Sequence, residues 1–347
     1  MPDEFLLLPS EDRKEILSSI SITLGRAAIV LEKDVWVCWV LNAMSSIPRP
    51  LPMAFKGGTS LSKVFDAIGR FSEDIDITID HQALGSGFDP FAIGVSKTKL
   101  KAFGETLKEK VRTHVREAVI PHFERLLGDQ FGPGAVTVVS CDDDQGVRIQ
   151  YPTALDERVG YIGDSVLVEF GGRNTTEPRE LHEIRPYIAD ELSRLSFPTA
   201  RVEVLSPVRT YWEKATLMHV ECNRGIANAR AERLARHWYD LYMLADHDIG
   251  KRALADRHIL DDVVRHKKVF FPASYAKYDD CAAGRIQLVP DERSLAELRR
   301  DYLEMIKAGM FYWDPPKFDV LIGRLGELEK EINTGAPNTD GGIKSRR

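Results

Sequence analysis

The chain has 347 residues, a net charge of -6, and 43% hydrophobic against 29% charged residues. That length holds one large or two ordinary domains, the balance is that of a soluble globular protein, and the acidic total excludes nucleic-acid binding by overall charge, leaving only local patches. No apolar run approaches the ~20 residues of a membrane-spanning helix, and the start "MPDEFLLLPSEDRKE" lacks a signal-peptide core, so a cytoplasmic protein without a membrane partner is expected.

Residues 11–46 read as helical, opening on acids that suit a helix N-terminus. "IPRPLP" ends any helix, because proline lacks the amide donor and biases the preceding residue away from α. A short strand into "AFKGG" follows, then "SLSKVFDAI" as a helix. "EDIDITID" is a strand with Ile75, Ile77 and Ile79 on one face and Asp74, Asp76, Thr78 and Asp80 on the other. Residues 97–127 are expected to form a basic helix. "AVTVVS", "GVRIQYP" and "SVLVEFGG" read as strands, the first two joined by the turn "CDDDQG". "RVEVLSP" leads into helices at "PVRTYWEKATLMHVECN", "ANARAERLARHWYDLYMLADH" and 291–331, with "FYWDPP" as a break and a polar tail that reads as disordered. The four cysteines, Cys38, Cys141, Cys222 and Cys281, have no zinc-type spacing.

The chemistry concentrates between Lys56 and Asp80. Residues i and i+2 of a strand share a face about 6.5–7 Å apart, so Asp74 and Asp76 can hold divalent cations. Magnesium takes oxygen ligands and needs only one or two protein carboxylates beside substrate phosphates. A calcium loop counted from Asp74 fails, since its sixth and twelfth positions hold Ile79 and Gly85. A solvent-facing edge strand remains open on "DIDITID" alone. Gly57 and Gly58 allow close approach to an anion, yet "GGTS" is not a Walker A loop and by itself is equally a turn.

Together, "KGGTSLSKVFDAIGRFSEDIDITID" resembles the nucleotidyltransferases related to DNA polymerase β, most closely the AbiEii/AbiGii toxin branch. The matches are Gly57, Gly58, Thr59 and Leu61, then Arg70, Ser72, Asp74 and Asp76. "LEKDVWVCWVL" is similar to the family's N-terminal helix, "VEVLSPVRTYWEKATLMH" to its lysine segment with Lys214, and "RLARHWYDLYML" to the next helix with Asp240. The resemblance, which covers roughly the first 250 residues, implies an α+β fold whose polymerase β-like core with N-terminal helices and a mixed sheet takes residues 1–200; the residue pattern itself gives a mostly helical part over 201–335 and a disordered tail, 336–347.

It also implies a site. Asp74, Asp76 and a third carboxylate, Glu169 ahead of Asp80 or Asp164, would hold Mg2+ (or Mn2+) at the substrate NTP. Lys56, Gly57, Gly58, Thr59, Ser60, Lys63 and Arg70 would serve the nucleotide phosphates, with Arg70 alternatively bracing Asp76. Lys214 would neutralise the leaving pyrophosphate, and Asp240 would orient Lys214 or Arg236. Local basic stretches at 97–125 and "RGIANARAERLARH" would suit RNA. The implied role is a toxin with a cognate antitoxin, transferring NMP to a hydroxyl, foremost the 3′ end of tRNA. Transfer to a protein hydroxyl and a non-catalytic nucleotide-binding regulator are the alternatives. A phosphatase or nuclease would need further His or Asp ligands, and only His81 is close in sequence.

Overall fold

Alternation with period two buries Ile75, Ile77 and Ile79 and leaves Asp74, Asp76 and Asp80 half-buried. The computed structural model describes residues 3–48, 50–85, 87–156, 163, 165–225 and 233–335. Asp164, residues 226–232 of the second basic stretch and the tail 336–347 lie outside them.

The strands are β1 (Met53–Lys56), β2 (Ile75–Asp80), β3 (Thr137–Ser140), β4 (Gly146–Gln150), β5 (Ser165–Asn174), β6 (Arg179–Ile184) and β7 (Ala200–Leu205). They form one sheet in the order β3-β4-β5-β2-β1-β7-β6. The sheet is mixed: β2 is parallel to β5 and antiparallel to β1, and β1 is parallel to β7. Central β2 is therefore paired on both edges, which rules out the edge-strand reading of its acids.

The chain divides into two compact units, Met1–Ser206 with Ala308–Trp313, and Pro207–Lys307 with Asp314–Arg347. In the first, helix Ala28–Ser45 packs on β5 and β7. Its aromatic face is sealed by Trp36 stacked on Tyr151, ring centroids 4.9 Å apart, and by Trp39 against Phe123 and Phe131. The basic helix runs Lys97–His114, widens to a π-turn at Val115–Val119 and resumes at Ile120–Phe131. Pro121 has no amide to donate back and crowds the turn before it, which accounts for the widening. The second unit is helical, with Pro207–Arg224, Ala235–Ala245, His258–Phe270, Glu292–Lys307 and Phe318–Thr334 as its longer helices.

Two features depart from expectation. Strand β6, "RELHEI", carries charges and exposed positions that hide its period; as a sheet edge it tolerates them. The helix after β1 begins on the glycines and ends at Lys63, well short of Ile68, because Asp66 and Gly69 take positive φ values of 45° and 51°. In addition, part of the aromatic break pairs with residues 69–71: the Phe71 amide donates to the Met310 carbonyl (2.7 Å) and the Tyr312 amide to the Gly69 carbonyl (3.0 Å). A Cβ on Gly69 would collide with the Trp313 ring, so only glycine fits under this strap.

Candidate active site

The turn after β1 is built around Gly57 at φ 84°, a conformation that side chains disfavour. A Cβ there would also collide with the carboxylate of Asp76. A Cβ on Gly58 would come within 2.7 Å of Ser72 Oγ and 3.0 Å of Arg70 Nη2. Thr59 Oγ1 donates to the Asp74 carbonyl at 2.5 Å and lies 3.0 Å from Ser72 Oγ. The Gly-Gly-Thr stretch and the Arg-x-Ser-x-Asp-x-Asp stretch thus interlock residue by residue.

Register supplies the next layer. Lys56 on β1 is paired with Asp76 on β2, and Asp76 with Glu169 on β5. Paired residues of adjacent strands point to the same face, and strands lie about 4.8 Å apart, so a cation, a carboxylate and a second carboxylate stand in one row. Asp74 and Asp76 are half-buried and Glu169 is exposed, which leaves the row open to a substrate. Both acids were expected from the sequence; that Glu169 stands beside Asp76 comes only from register.

Other expected residues are placed differently. The Thr59 and Ser60 hydroxyls are buried and bonded inside the fold, Ser60 Oγ donating to the Gly57 carbonyl at 2.9 Å. What the turn offers an anion is main-chain N–H, at a helix start that no side chain caps. Arg70 is buried beside Gly58 and donates to the Phe71 carbonyl (2.8 Å), a brace for the turn from within the fold. Lys63 departs most from its phosphate assignment. Its ammonium lies 2.6 Å from Asp34 Oδ1, donates to the Arg185 carbonyl (2.7 Å) and sits 3.8 Å over the Tyr187 ring. Burial works against that charge, and the Asp34 carboxylate overrides it, holding the Lys63 pKa above its ordinary value. Asp80 caps helix His81–Leu84 by accepting from the Gln82 amide (2.8 Å). His81 is buried with Nδ1 3.1 Å from the Asn174 carbonyl.

Among the described residues no group of three or more His, Cys, Asp or Glu could hold a metal by itself. The paired acids fit magnesium nonetheless, because that ion completes its shell with water and substrate phosphates; the Asp76 carboxylate over a glycine that leaves room for it is the supporting observation.

In the second unit, Lys214 Nζ lies 2.8 Å from Asp240 Oδ2 and 3.4 Å from His237 Nδ1. Asp240 is fully buried and Lys214 nearly so, so this pair is a packed ion pair rather than a solvated one.

Sequence reasoning passed over Glu32, Lys33 and Asp34, quoted only within a resemblance. All three are buried. The signal was there: three consecutive charges inside the otherwise apolar run "AIVLEKDVWVCWVL".

An α+β core with a mixed sheet, an Asp-x-Asp strand, a third acid in register and a Gly-Gly turn packed on the first pair has the parts of a nucleotidyl-transfer fold. Residues 39–324 match the family of nucleotidyl transferase AbiEii toxins of type IV toxin–antitoxin systems, and the chain belongs to that family. It is accordingly a nucleotidyltransferase of the toxin kind, with an NTP as substrate and an antitoxin as partner. Among solved structures it is similar to MenT4, a nucleotidyltransferase toxin from Mycobacterium tuberculosis H37Rv, at 18% identity and a TM-score of 0.42, over 92% of this chain and 99% of that one. No curated protein matches the chain in sequence. No helix among the described residues is long and apolar enough to cross a membrane.

Proposed function

We propose that the protein transfers NMP from an NTP to the 3′ hydroxyl of an RNA, foremost tRNA, with Asp74, Asp76 and Glu169 as the acids that hold Mg2+. The interlock of Asp76 with Gly57 carries this reading, because it brings an acid pair and an anion-binding turn to one place. When bound, the divalent cations neutralise the phosphates and polarise the α-phosphorus. The glycine turn receives the phosphate tail through main-chain N–H groups. Glu169, beside Asp76 in the row, would serve the cation nearest the acceptor hydroxyl and favour loss of its proton. Lys56, in register with Asp76, adds a compact positive charge. Lys214, paired with Asp240, is proposed as a contributor to the reaction on family resemblance.

An RNA acceptor is favoured by Lys97, Lys99, Lys101 and Lys110, all exposed on one helix of the unit that holds the acids. Incubation with each labelled NTP, Mg2+ and total RNA, followed by mass analysis of the RNA, tests the proposal. Nucleotide added to RNA 3′ ends is expected. Label on protein instead would move the acceptor to a protein hydroxyl, and binding of NTP with no transfer would leave a regulator.

A further inference from the structure

Helix Ala28–Ser45 buries three adjacent charges, Glu32, Lys33 and Asp34, each only 1–2% exposed. Consecutive helical residues point about 100° apart, so the three reach three different parts of the fold. Glu32 accepts from Thr153 Oγ1 (2.5 Å) and the Ala154 amide (2.7 Å), on the segment that follows β4. Lys33 forms a buried ion pair with Glu73, the residue bonded to Asp74, and donates to the Gly163 carbonyl at 2.9 Å, just before β5. Asp34 pairs with Lys63, which ends the helix begun by Gly57, and accepts from the Tyr187 amide at 2.7 Å.

Stability alone does not explain this arrangement. A buried ion pair is often no more stable than apolar side chains of the same volume, whereas its direction is specific. Glu32 ties down the segment after β4, while the ion pairs of Lys33 and Asp34 end on segments that carry part of the acid row or the glycine turn. One lysine joins the entry of the Asp74–Asp76 strand to the approach of the Glu169 strand; one aspartate anchors the far end of the glycine-turn helix.

We infer that Lys33 and Asp34 form a positioning hub: Lys33 with Glu73 sets the spacing of the acids on β2 and β5, and Asp34 with Lys63 sets the glycine turn against them. The inference rests on the proposed role of Asp74, Asp76 and Glu169. Outer groups that orient metal ligands typically change metal affinity or activity 10–100-fold.

The two tethers have separable signatures, which a merely structural role would not produce. Full-length Lys33→Met/Glu73→Met, with both charges removed together, is expected to melt near the wild type yet to bind Mn2+ at least tenfold more weakly, by EPR titration with and without each NTP, and to lose kcat in parallel. Asp34→Leu/Lys63→Met is expected to raise KM for the NTP about tenfold while Mn2+ affinity stays within about twofold. If both double variants fold and keep wild-type Mn2+ affinity and kinetics, the hub is only packing and the inference is overturned. Failure of both to fold would overturn it as well, since the charges would then be needed for folding itself. Asp76→Ala separates the two levels: transfer or Mn2+ binding that survives it, or wild-type protein that binds no Mn2+, removes the underlying site assignment rather than the hub.

Discussion

Two concentrations of charge in the first unit are handled in opposite ways. Along Lys56, Asp76 and Glu169 the charged groups are half-buried or exposed, reachable by a substrate. Along Glu32, Lys33 and Asp34 they are sealed, and each is matched by an ion-pair or hydrogen-bond partner. Burying a charge costs several kcal/mol unless it is paired, so sealed charges must be satisfied by the protein itself. Charges that serve a substrate have to stay accessible, and their position must come from the framework behind them. Sealed and open charges are therefore one system: the first orients the second.

The sharpest way to break that contrast is to unpair a sealed charge. Asp34→Asn leaves the Lys63 ammonium buried without its carboxylate, and a loss of roughly 3–5 kcal/mol is expected in denaturant melts. Asp3 offers a counterpart, a buried acid whose hydrogen bonds come from the neutral Leu6 amide and Gln130, and burial raises its pKa from 3.8 to about 7. A raised carboxyl pKa means that the folded state holds the proton more tightly, so stability is greatest at low pH and falls as pH rises through the window from about 4 to about 7. Asp3→Asn should match the wild type at pH 4 and exceed it above pH 7, by up to about 4 kcal/mol.

On the open side, Asp76→Ala is expected to leave the melting temperature within a few degrees and to lower NMP transfer at least ~100-fold, about 2.7 kcal/mol of transition-state stabilisation. A variant that melts normally and still transfers would show that the row is not the site. Gly57→Ala tests the meeting of turn and acid. The strained φ and the collision with Asp76 should cost roughly 1–3 kcal/mol of stability and displace the carboxylate, so transfer falls with it. The smallest effect is expected at the strap. Trp313 is 50% exposed over Gly69, and Trp313→Ala should cost ~1 kcal/mol, read as a lower midpoint in urea.

Much of the site was legible because it rests on local pattern. Isoleucines alternating with aspartates specify a strand and the face its acids take, whatever lies next to it. Family resemblance called for a third carboxylate, and the alternation on "SVLVEFGG" put Glu169 forward. Lys63 was not legible in that way: helical spacing says which residues share a face, but not whether that face meets solvent or the buried Asp34. Strand β6 was hidden because an exposed edge does not need an apolar alternation.

The amino-acid order alone determined the acid strand, the glycine turn ahead of it, the basic helix and the helical character of the second half, since each follows from a period or a residue's own backbone preference. Only the tertiary structure decided that Asp76 lies against Gly57 and beside Glu169, that Lys63 turns inward, and that residues 308–313 return to pair with the approach to Asp74. Those outcomes depend on contacts between residues far apart in the chain, where register and burial are set by packing and by the cost of leaving a charge without a partner.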